Sequence, residues 1–209
     1  MRLYFIGGGD IANRELKEID NVIISNTDKK NILIFSWTTD DQEKLDKYCS
    51  FMTSYFKKLG INDVVFASLD DSAENLKKKI SNSSMIYIPG GNTEYLLQRI
   101  KEKDLSRMLR TYDRIIAGNS AGALAMCREV ILTKDKDTPR TKVVEGMGLV
   151  DFSVDVHYNE IHEKELLELS KGRNIYAIPE RCALVYDNGR VSFIGDGYLF
   201  SEGKKKKVL

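Results

Sequence analysis

One serine, two histidines and a handful of loop carboxylates are the side chains of this chain that could do chemistry together. Ser120 lies in Gly118-Asn119-Ser120-Ala121-Gly122, directly after the apolar run Ile115-Ile116-Ala117. The pattern is G-x-S-x-G, a strand-turn-helix bend that lifts a serine hydroxyl above the end of a sheet. Gly118 and Gly122 carry no Cβ, so strand and helix can approach through so sharp a turn. The amide of Ala121, at the start of the following helix, is placed to donate to a developing oxyanion. The same five residues also suit a serine that only caps a helix, so its partners decide between the two.

A serine hydroxyl is a poor nucleophile until a base takes its proton. The histidines are His157 and His162. His157 ends the strand-like run Phe152-Ser153-Val154-Asp155-Val156, where α/β proteins place active-site groups, and is favoured as base over His162. The latter sits in Glu160-Ile161-His162-Glu163-Lys164, at the exposed start of a helix. A base in turn needs a carboxylate that fixes its tautomer. Asp135, Asp137, Asp155 and Glu180 all lie in plausible loops, and spacing does not choose among them. A second oxyanion donor is expected in Pro89-Gly90-Gly91-Asn92-Thr93. The C-terminal ends of neighbouring parallel strands share one crevice, so Gly90 or Gly91 would face Ser120. The plainer alternative is a strand-to-helix turn with Asn92 or Thr93 as helix cap.

Apolar runs at 3–6, 31–37, 64–66, 85–88 and 114–117 read as buried strands. Helical spacing marks 40–59, 72–80, 93–100 and 104–109, and Gly60 ends the first of these. Strands alternating with helices predict a mostly parallel sheet with crossover helices on both faces. After Met126 the pattern shifts to short strand-like pieces at 130–132, 143–144 and 152–154, then a helix at 161–169. Strands follow at 174–177, 183–186, 191–194 and 198–200, with a tight turn at Asp187-Asn188-Gly189. No linker or repeat interrupts 1–209, which reads as a single α/β domain.

The 209 residues suffice for a sizeable core, and 42% hydrophobic with 30% charged residues is a soluble globular balance. Lys plus Arg is 32 against 31 Asp plus Glu, a net charge of +1, so no basic field attracts nucleic acid or an anionic membrane. Cys49, Cys127 and Cys182 show no metal-type spacing and suit a reducing compartment. With no signal-type leader read at the start of the chain, cytoplasmic placement is expected. The run Lys204–Lys207 reads as a solvated tail. A rival for the first turn is nucleotide binding, since Gly7-Gly8-Gly9-Asp10-Ile11-Ala12 fits G-x-G-x-x-A after a strand. Asp10 would put negative charge where a pyrophosphate should sit.

Pro89-Gly90-Gly91-Asn92-Thr93, Gly118-Asn119-Ser120-Ala121-Gly122-Ala123, Thr133-Lys134-Asp135 and Asp155-Val156-His157-Tyr158 occur in that order. Together they resemble the aspartyl dipeptidase (peptidase E) family of serine peptidases, which also holds the cyanophycinases. The resemblance covers about residues 85–180. It implies a class I glutamine-amidotransferase-like, flavodoxin-like three-layer sandwich. It also implies Ser120 as nucleophile, His157 as base, and Gly90 and Ala121 as oxyanion donors. Asp135 matches the family's T-x-D acid, and Glu180, in Ile178-Pro179-Glu180, resembles a second acidic position that could fill the same role. Asn92, Asn119 and Tyr158 are the expected substrate contacts. Short peptides would be the substrate, with no metal or cofactor, in a monomer or homodimer. One segment departs from the pattern. Where the family carries an arginine-containing G-E-T-R stretch that grips an acidic side chain, this chain has Asn159-Glu160-Ile161-His162-Glu163-Lys164-Glu165. Lys164, Arg173 and Arg181 are candidate replacements, and the glutamates suggest a cationic substrate group instead.

Overall fold

The computed structural model describes residues 1–27, 31–133 and 140–208. Its centre is a seven-stranded sheet. The strands are β1 (Arg2–Ile6), β2 (Asn31–Ile34), β3 (Asp63–Phe66), β4 (Met85–Ile88), β5 (Ile115–Asn119), β10 (Ala183–Asp187) and β11 (Arg190–Ile194). Their spatial order is β11-β10-β1-β5-β4-β2-β3. β1 to β5 run parallel to one another, while β10 pairs antiparallel with both β1 and β11.

Alternation along each strand sorts its side chains between two cores. In β1, Leu3 and Phe5 enter one core and Tyr4 and Ile6 the other; in β4 the same split separates Ile86 and Ile88 from Met85 and Tyr87. Helices α3 (Ala73–Asn82), α4 (Thr93–Glu102), α5 (Leu105–Leu109) and α6 (Ala121–Met126) cover the first core through Leu76, Leu96, Leu109 and Ala123. Helices α1 (Lys17–Ser25) and α2 (Gln42–Lys58) cover the second through Ile23, Met52 and Phe56. This is the expected three-layer, flavodoxin-like arrangement with a mostly parallel sheet.

The region after α6 builds two smaller sheets. β6 (Glu129–Leu132) pairs with β7 (Lys142–Glu145), and β8 (Ser153–Val156) joins β9 (Ile175–Ile178), β12 (Tyr198–Ser201) and β13 (Lys204–Lys207) in the order β13-β12-β9-β8. A 3₁₀ turn, Glu160–His162, leads into α7 (Glu163–Leu169). The lysine run is thus a paired strand, not a solvated tail. Lys205 lies 4.7 Å from the Tyr198 ring centroid and 5.4 Å from that of Tyr158, and binds Glu163 at 2.6 Å. Aromatic faces and a carboxylate make a place for this cation that a lone tail would lack.

Helix α1 escapes the sequence pattern because its inner face carries an acid. Asp20 is fully buried, and Tyr55 Oη donates to its Oδ2 over 2.6 Å. Its other oxygen has no partner among the described residues. Burial pushes the carboxyl up to about 7, with the tyrosine bond opposing. An unfolded aspartate titrates near ~3.9. The native state therefore holds a proton between these values that the unfolded state has lost, and stability falls as pH rises from about 4 to 7. At ~1.4 kcal/mol per unit the loss is bounded at about 4 kcal/mol. Asp20→Asn should remove this component. Thermal midpoints at pH 5 and 8 should fall less in the variant than in the parent, and equal falls would show Asp20 to be ionised throughout.

Candidate active site

The register of β1, β5 and β4 brings three loops together at one end of the main sheet. Ile6 lies beside Asn119, and Ile88 beside Gly118. The turns that follow are Gly7-Gly8-Gly9, Ser120 and Gly90-Gly91, side by side. Ser120 holds the bend at φ 50° and ψ −111°, and its amide donates to Ile6 O over 3.0 Å. The glycines around it serve close approach. A methyl at Gly122 would lie 2.0 Å from Ile88 O, and one at Gly118 would lie 2.5 Å from Gly122 C. Gly90 sits against the serine, its Cβ position 3.3 Å from Ser120 Cβ. The open side of Gly91 faces Thr38 instead, although the residue borders the cleft. Ala121, the first residue of α6, is buried directly behind Ser120.

His157 arrives from the second sheet. β8 and β9 are parallel, with Val156 beside Ile178, so His157 and the Pro179-Glu180 turn emerge next to each other. Ser120 Oγ lies 2.7 Å from His157 Nε2. His157 Nδ1 is hydrogen-bonded to Glu180 Oε1. With Nδ1–H donating to the carboxylate, Nε2 is left to accept the serine proton. The first turn locks this chain of bonds in place. His157 N donates to Gly7 O over 2.6 Å, and Arg181 N to Gly8 O over 2.9 Å.

The Gly7–Gly9 turn therefore approaches the imidazole rather than a pyrophosphate. Asp10 Oδ1 accepts from the amides of Ala12 and Asn13 at 2.8 and 3.2 Å, taking the donors a phosphate would use.

Ser120 and His157 open on a cleft of about 570 Å³ bordered by Asn92, Thr93, Ile131 and Leu132. A larger hollow of about 900 Å³ lies between α3 and α5 and touches neither residue. Of the expected substrate contacts, only Asn92 borders the cleft, and its Oδ1 caps α4 by accepting from Tyr95 N. Asn119 and Tyr158 are both buried away from it. Asn119 is the last residue of β5, and the chain leaves the strand at Ser120 with φ 50°, so only Ser120 reaches the cleft. Tyr158 packs on Tyr198 and Phe200. Asp135 and Asp137 lie outside the described residues. Arg173 pairs with Glu129 and Arg181 with Glu15, and neither they nor Lys164 border the cleft.

One pair was not foreseen as a unit. His162 Nδ1 lies 3.0 Å from Asp155 Oδ2, and both residues border the cleft. His162 is thus not within the serine's bonding chain. Burial raises the Asp155 carboxyl, while the bond to Asp155 raises the His162 imidazole. Asp155 lies on β8 and His162 in the following 3₁₀ turn, so only the fold brings the two together.

No group of three or more potential metal-binding side chains occurs among the described residues, and no described helix is long and apolar enough to cross a membrane.

Comparison with known proteins shows the family. An uncharacterized peptidase of Listeria innocua is 28% identical over 142 residues, 63% of this chain and 66% of that protein. Peptidase E of a Nostoc species is 24% identical over 208 residues, covering 91% of this chain and 83% of the relative. The crystal structure of a peptidase from an acI-B1 Actinobacterium superimposes with a TM-score of 0.72 at 19% identity, over 99% of this chain and 93% of that one. The sequence model of peptidase family S51 matches residues 3–194, and the chain belongs to that family of hydrolases.

Proposed function

We propose that the protein is a serine peptidase of the peptidase E type that hydrolyses short peptides through an acyl-enzyme. The observation that carries this reading is the unbroken chain of hydrogen bonds from Ser120 through His157 to Glu180, opening on a cleft. Ser120 Oγ attacks the scissile carbonyl carbon as its proton passes to His157 Nε2. Glu180 accepts from Nδ1–H and stabilises the imidazolium. The amides of Gly90 and Ala121 receive the oxyanion. His157 then protonates the leaving amine, the C–N bond breaks, and the acyl group remains on Ser120. Water repeats the sequence, with His157 taking its proton, and frees the acid. The cleft size suits a peptide of a few residues.

A fluorophosphonate probe tests this assignment without knowledge of the substrate. It should label the protein once, at Ser120, and Ser120→Ala should remove the label together with hydrolysis of a panel of Asp-Leu, Ala-Leu and Lys-Leu. A protein that folds but takes no label, or retains hydrolysis as the alanine variant, would refute the nucleophile and favour an inert binding role.

A further inference from the structure

The acyl-transfer scheme makes no use of the Asp155–His162 pair, although both residues stand in the wall of the serine's cleft. Asp155 is 2% exposed, and its carboxylate meets His162 Nδ1 at 3.0 Å. A buried carboxylate is costly unless paired, so Nδ1 is committed to it. The one polar atom left on the ring is Nε2, which makes no hydrogen bond among the described residues. The His162 side chain remains 21% exposed. No lysine or arginine borders the cleft among the described residues. Its other acid, Glu94, is tied to Lys142 at 3.2 Å. The glutamates that suggested a cationic substrate do not border it either, and Glu163 is held by Lys205.

The geometry points to His162 as a specificity residue that receives a carboxylate of the peptide through Nε2–H, with Asp155 holding it as the imidazolium. The inference rests on the peptidase reading for the nature of its ligand. Two carboxylates of a short peptide offer the same chemistry: the C-terminus and an acidic side chain. A charged donor meeting an anion in a partly dry cleft makes a strong bond. A neutral imidazole bonded to Asp155 through Nδ1 would offer a lone pair instead and reject the anion. The charged groups acting on the pair are Asp155 from β8, Glu165 from α7 and, on Asp155, His157. Both acids favour the charged ring. Carboxylate recognition is therefore present at low pH and lost as pH rises through the titration of His162.

Binding to the Ser120→Ala protein, followed by calorimetry, tests this apart from catalysis. Ala-Leu against Ala-Leu-amide reads the terminal carboxylate, and Asp-Leu-amide against Asn-Leu-amide reads the side chain. At pH 6 one acid should bind on the order of tenfold tighter than its amide counterpart. The ratio should fall as pH rises from 6, toward one where the imidazole is neutral. His162→Gln, which keeps a neutral donor, should bring the ratio to about one throughout. Asp155→Asn should do so at pH 7 with the ring still present. Ratios near one in the parent, a ratio that survives His162→Gln, or preferred binding of Lys-Leu-amide would each overturn the inference. Failure of the Ser120 protein to hydrolyse any peptide would count against the peptidase reading and leave these ratios unchanged.

Discussion

Replacing Glu180 with glutamine should lower kcat about 10⁴-fold and leave KM within a few-fold, the magnitude seen when the acid of a serine triad becomes an amide. The reason is tautomeric. Glu180 Oε1 can only accept from His157 Nδ1, so the hydrogen stays there and Nε2 stays free to take the Ser120 proton. A glutamine of equal size can turn its NH₂ toward Nδ1. The hydrogen then moves to Nε2, which can no longer act as base. Asp135→Asn should change kcat by less than about threefold, because the imidazole already has its acceptor. Steady-state kinetics of the two variants decides between the acids that sequence left open. A large loss for Asp135→Asn beside a small one for Glu180→Gln would reverse the assignment. Rates of fluorophosphonate labelling give the same comparison without a substrate.

The second large effect is expected from a residue with no side chain. Gly8 has φ 131°, and a methyl there would lie 2.3 Å from both Cε1 and Nδ1 of His157 and 2.9 Å from Glu180 Oε2. Gly8→Ala must push the ring aside by roughly 1 Å, and a displacement of that size costs on the order of 10² in rate. The backbone strain of alanine at positive φ is a separate cost, about 1–2 kcal/mol. Gly60→Ala controls for it, since Gly60 has φ 91° with nothing within 4 Å of its Cβ position. Gly60→Ala should show the strain cost alone with kcat kept, while Gly8→Ala adds the clash with His157 and loses kcat. Equal kcat in the two would mean that the first turn does not position the base.

Most strands and helices of the main sheet were legible because each is an apolar run or a helical stripe. Helix α1 was not, because Asp20 interrupts its apolar face with a group that only Tyr55, on another helix, accounts for. Strand β13 was hidden for the opposite reason. Four lysines show no alternation, and only pairing with β12 makes them a strand. At the site, Ser120 and His157 could be read from motif and scarcity. Glu180 could not be chosen, because its meeting with His157 depends on β8 and β9 lying parallel and adjacent. Asn119 and Tyr158 adjoin Ser120 and His157 in sequence, yet Ser120 and His157 turn at positive φ and leave these neighbours buried away from the cleft. The Asp155–His162 pair was visible only as two separate candidates, since its bond spans a loop and a 3₁₀ turn.

The serine and its base stand on different sheets, separated by 37 residues of chain, and the acid follows after a further 23. The cluster can therefore close only once residue 180 has been made and β9 has paired with β8. A chain cut before β9 would keep the Ser120 turn and lose the partner that holds His157.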